Sequence, residues 1–67
     1  MNQIRQLRQE AGLSRAYIAA HCEVGEAQVR RWESGEVLVP TRHLPELTAI
    51  FGVSVEQLMG WQERAEA

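Results

Sequence analysis

The chain has 67 residues, room for a single domain. Apolar residues make up 45% and charged residues 24%, mixed in sign, a balance that excludes a disordered polyelectrolyte. One cysteine excludes an internal disulfide, no apolar run approaches membrane-spanning length, and no signal peptide is recognisable, so a reducing cytoplasmic setting is expected, with no membrane partner.

The apolar spacing is helical throughout. A first helix is predicted from about Asn2 to Ala11, with Ile4, Leu7, Arg8 and Ala11 on one face and Gly12 as its stop. Ser14 is a good N-cap for a second helix, Arg15 to Cys22, whose inward residues are Ile18, Ala19 and Cys22. Glu23-Val24-Gly25 reads as a tight turn with Val24 plugged into the core, and a third helix follows from Glu26 to about Ser34, ended by Gly35. Residues 36–40 form a connector. Thr41 looks like a cap, but Pro45 lacks an N–H and suits only a first turn, so the regular fourth helix is placed from about Leu44 to Phe51, closed by Gly52. Ser54 and Gln57 make a capping box for a fifth helix, Val55 to Met59, and Gly60 ends or bends it. The expected fold is an all-α, five-helix domain over residues 1–60, with residues 61–67 as a C-terminal tail.

Arg15 to Glu33 carries the functional signal. Two short helices joined by a three-residue turn need a small residue where they cross, an apolar plug in the turn, and inward residues three apart on the second helix. Ala19, Val24, and Val29 with Trp32 meet those needs, which defines a helix-turn-helix. At about 100° per residue, the direction opposite Val29 and Trp32 falls on Ala27, Arg30, Arg31 and Ser34, flanked by Glu26 and Gln28. Such a face suits base edges: Arg on guanine, Gln on adenine, Glu accepting from a cytosine amine. The net charge of −2 opposes a nucleic-acid partner, but its distribution is uneven: residues 1–42 hold six Arg against five Glu, and residues 43–67 one Arg against four Glu.

The run Leu7-Arg8-Gln9-Glu10-Ala11-Gly12-Leu13-Ser14, then Ile18-Ala19, Val24, Val29-Arg30-Arg31-Trp32-Glu33-Ser34-Gly35 and Gly52-Val53-Ser54, resembles the Cro/CI-type (XRE-like) helix-turn-helix family. The stretch from Leu44-Pro45-Glu46-Leu47 to Gly52-Val53-Ser54-Val55 is similar to the matching part of lambdoid phage repressors. The resemblance implies a lambda-repressor-like DNA-binding domain that binds a palindromic double-stranded operator as a homodimer and usually represses transcription. It also implies a partly buried ion pair between Arg8 and Glu33, a phosphate contact near Arg15, and base-reading or base-adjacent roles for Glu26, Ala27, Gln28 and Arg31. Gln28, Arg30 and Arg42 are further candidates for phosphate contact, while Glu26 serves either a cytosine or only its own helix dipole.

Three positions depart from the family's pattern. Glu23 stands where the turn usually has Gly, and a left-handed backbone there would cost about 1–2 kcal/mol. Glu26 brings a carboxylate to the leading edge of the recognition helix. Glu36-Val37-Leu38-Val39 replaces a commonly basic connector with three apolar side chains, which either fold back on the core or form a dimer interface with Leu58 of the fifth helix and Trp61. No nucleophile–base pair, phosphate-cradling Gly loop or metal-ligand spacing is legible, so no enzyme activity, cofactor, metal or small-molecule ligand is expected. Cys22 reads as a small core residue, and His21 and His43 as surface residues. A protein-interaction module of antitoxin or anti-activator type on the same fold is the alternative.

Overall fold

A computed structural model describes residues 2–60. Five α-helices follow one another: α1 (Ile4–Ala11), α2 (Arg15–Cys22), α3 (Glu26–Ser34), α4 (Leu44–Phe51) and α5 (Val55–Met59), with a 3₁₀ turn at Thr41–His43 leading into α4. No strand occurs among the described residues.

Local chemistry accounts for most of the boundaries. The Ser14 hydroxyl accepts from the Tyr17 N–H at 3.1 Å and starts α2. At α5 the capping box is complete: the Ser54 hydroxyl accepts from the Gln57 N–H and the Gln57 side chain accepts from the Ser54 N–H, each at 3.1 Å. Pro45 lies in the first turn of α4, where a missing N–H costs nothing. Thr41 does not cap α4; it opens the 3₁₀ turn instead.

α1 begins two residues later than its periodicity predicts, for a tertiary reason. The Gln3 N–H donates to the Leu58 carbonyl of α5 at 2.8 Å, and the Asn2 side-chain amide donates to the Trp32 carbonyl of α3 at 2.8 Å. The same side chain accepts from the Ile4 N–H at 3.1 Å, satisfying one of the orphan donors of the helix start. Ala11, expected on the inner face of α1, is exposed.

Glu23 ends α2 with φ +59°, so the turn keeps the left-handed conformation although a glutamate stands where the family usually has Gly. Its N–H bonds back to Ala20, and the Val24 N–H to Ala19, which closes the turn despite the side chain. Glu23→Gly is therefore expected to stabilise the fold by about 0.5–1 kcal/mol, since relief of the left-handed strain exceeds the added freedom of the unfolded chain. Urea denaturation measures this, and a loss of stability would show that the Glu23 side chain contributes more than its backbone costs.

Ile4, Ile18, Val29, Trp32, Leu47 and Leu58 are fully buried, joined by Ala19, Cys22 and Val39. Val24 packs against this core from the turn. Val39 and Leu58 thus fill the interior of their own chain and have almost no surface left to offer a second copy, which corrects their expected place in a dimer interface. Val37 and Leu38 remain exposed, Leu38 at 86%. Trp61 and the rest of the tail lie outside the described residues.

Candidate nucleic-acid interface

α2 and α3 pack across the Glu23–Gly25 turn, and α3 presents two different faces. Val29 and Trp32 are sealed in the core, with Glu33 beside them. Glu26, Ala27, Arg30, Arg31 and Ser34 are exposed, and Gln28 is half-buried between the two faces. No side chain caps α3 at Gly25, and its first turn carries the exposed Glu26 carboxylate. Among the described residues, Arg30 and Arg31 make no ion pair.

Glu33 binds the three N-terminal helices together. Arg8 Nε of α1 donates to Glu33 Oε2 at 2.6 Å, and Arg15 Nε of α2 donates to Oε1 at 3.1 Å. Arg8 Nη2 adds a longer contact to Oε1 at 3.4 Å, and Arg8 Nη1 donates to the Leu13 carbonyl at 3.0 Å. The Glu33 side chain is 2% exposed, Arg8 11% and Arg15 37%. One carboxylate thus serves two guanidiniums. Arg15, expected near a phosphate from the family resemblance, is also tethered through its Nε to Glu33 of the recognition helix. Arg42 stands apart, exposed on the 3₁₀ turn beside a groove that His21, Glu23 and Glu46 also line.

Sequence reasoning left two residues without a role. Asn2 ties the chain start to the Trp32 carbonyl, a link between residues 30 apart that no local pattern announces. Arg5 lines a pocket with Arg15, Arg30, Glu33 and Ser34. Its signal was available: Arg5 and Arg8 are three apart on one helix and therefore neighbours.

The histidines differ from each other. His21 is exposed, with Nδ1 at 3.6 Å from Glu46 Oε2 and its ring 4.4 Å from that of Tyr17. His43, expected at the surface, is half-buried with its ring 5.2 Å from Trp32. Cys22 is buried, and burial, helped by the Glu46 carboxylate, pushes its thiol up from the ordinary value. Such a thiol resists forming the reactive thiolate, in keeping with a packing role. Among the described residues no group of three or more His, Cys, Asp or Glu side chains could hold a metal ion, and no helix is long and apolar enough to cross a membrane.

Two helices joined by a tight turn, the second anchored by inward residues three apart and free on its outer face, define a helix-turn-helix, an arrangement built to place a helix in the major groove. The chain belongs to the helix-turn-helix domain family, whose model matches residues 2–59. No curated protein and no solved structure matches it.

Proposed function

We propose that this protein is a sequence-specific transcription regulator, acting as a repressor that binds an inverted-repeat operator as a homodimer with α3 in the major groove. The observation that carries the reading is the unobstructed outer face of α3, with Arg31 projecting opposite the buried Val29 and Trp32. Arg31, with Glu26, Ala27 and Gln28, reads base edges; Arg15, Gln28, Arg30 and Arg42 contact phosphates. Two such helices related by a two-fold axis enter successive major grooves about 34–36 Å apart.

Arg31→Ala is expected to weaken operator binding by about 1–3 kcal/mol and to relax the preference at one base pair in each half-site. Selecting binding sites from a random duplex library, with wild type and variant in parallel, measures both. Unchanged affinity and unchanged base preferences would remove Arg31 from the reading surface. Full binding that neither weakens with salt nor discriminates between sequences would favour the protein-interaction reading instead, which the net charge of −2 and the exposed Leu38 support.

Val37 and Leu38 supply the apolar surface for the second copy. A leucine 86% exposed on the connector, beside the exposed Val37, has no packing role in its own chain. Leu38→Glu is expected to shift sedimentation equilibrium from dimer toward monomer without a change in helical content. An unaltered association constant would exclude this segment from the interface.

A further inference from the structure

The depression at the start of α3, lined by Glu26, Ala27, Arg15 and Arg30, does not end there. Arg15 and Arg30 also wall a second pocket, together with Arg5, Glu33 and Ser34. Arg5, Glu33 and Ser34 in turn border a third, which opens over Gln6 and Gln9 of α1. A continuous polar path therefore runs from the recognition helix, past the start of α2, onto the exposed face of α1.

Its electrostatics are unlike those of the rest of the molecule. Arg8 and Arg15 bind the Glu33 carboxylate, and Arg5 and Arg30 line the same pocket beside it, in a chain whose net charge is −2. Glu33 is the one acid among the described residues of the central pocket and is already engaged by Arg8 at 2.6 Å and Arg15 at 3.1 Å. Arg5 and Arg30 make no ion pair among the described residues. The three arginines that line the pocket come from three different helices, so the packing of α1, α2 and α3 sets their spacing. Tethering Arg15 by Nε fixes its fork before any ligand arrives, which lowers the ordering cost of binding.

We propose that this pocket between α1, α2 and α3 is a phosphodiester-binding site, and that Arg5 carries the DNA backbone from the recognition helix across onto α1. The proposal rests on the DNA-binding reading above and extends it to a helix outside the helix-turn-helix. Arg5 is a positioning residue here: it contributes affinity and register, with no reading of sequence. Gln6 and Gln9 supply uncharged donors along the continuation, whereas the Ser34 hydroxyl at the pocket wall donates to the Arg31 carbonyl at 3.1 Å.

The test compares wild type, Arg5→Gln, Arg5→Lys and Ala49→Glu, the last an equal charge change at an exposed position on α4. The probes are a duplex selected by the wild type and a random duplex, titrated by fluorescence anisotropy across a range of salt. Arg5→Gln is expected to lower the magnitude of the slope of log K against log salt by about 0.9, the loss of one phosphate contact. Its affinity should fall by the same factor on both duplexes, with base preferences unchanged. Arg5→Lys should keep the slope, and Ala49→Glu should leave it intact. A slope unchanged in Arg5→Gln, or lowered equally by Ala49→Glu, overturns the site while the DNA-binding reading stands. Absence of salt-dependent duplex binding by the wild type overturns both. Melting with and without inorganic phosphate at constant ionic strength separates a free anion from the duplex. A rise in Tm lost in Arg5→Gln, together with an unchanged DNA slope, would make the pocket a free-phosphate site and overturn the assignment to the backbone.

Discussion

Replacing Glu33 with alanine is expected to cost about 3–5 kcal/mol of folding stability, because it strands the buried Arg8 guanidinium without a counter-charge. Arg8 lies 11% exposed, and its Leu13 carbonyl contact at 3.0 Å cannot neutralise it. A chain of 67 residues has a total stability of only about 3–10 kcal/mol at the usual value per residue, so the variant approaches global unfolding. Arg15 contributes little to this loss, since at 37% exposure it can turn toward water. Glu33→Gln keeps the shape and one acceptor oxygen and should fall between wild type and alanine. Replacing both partners by apolar residues, Arg8→Met with Glu33→Leu, should recover much of the stability, because the cost lies in the unpaired charge more than in the missing attraction. Urea unfolding followed by circular dichroism reads all four proteins. A midpoint for Glu33→Ala equal to that of wild type, at unchanged m, would mean that the pair is not desolvated as its exposure indicates.

Trp32→Ala should be as damaging, at about 3–5 kcal/mol, through the cavity left at the centre of the core. Trp32 is fully buried and packs against the His43 ring at 5.2 Å. Its indole Nε1 is buried with no hydrogen-bond partner among the described residues. An orphaned buried donor carries a penalty of about 1–3 kcal/mol, which Phe would not incur. Trp32→Phe should therefore lose only on the order of 1–2 kcal/mol despite its smaller volume. The two variants also separate folding from function. Trp32 is the anchor from which Arg31 projects, so Trp32→Phe should keep base preferences while lowering the unfolding midpoint. Losses of equal size in the two variants would show that the indole N–H is satisfied by water and contributes to the fold.

Capping explains why the helices were so readable. Ser14, Ser54 with Gln57, Pro45, and Gly12, Gly35 and Gly52 act within one turn of their own positions, and a backbone donor satisfied locally leaves its mark in adjacent residues. The face of α3 was readable for the same kind of reason, since helical geometry alone puts Arg31 opposite Val29 and Trp32. The start of α1 was not, because Asn2 and Gln3 spend their hydrogen-bonding groups on Trp32 and Leu58, far along the chain.

The amino-acid order alone determined the five helices and the outward direction of the recognition residues, which depend on interactions spanning about four residues or fewer. Tertiary structure decided which apolar connector residues are available, burying Val39 and leaving Leu38 bare. It also decided that Arg15 shares Glu33 with Arg8, and that Arg5 meets Arg15 and Arg30 across three helices. Periodicity assigns a side chain to a face of its own helix, whereas charge clusters of this kind are set by how the helices cross.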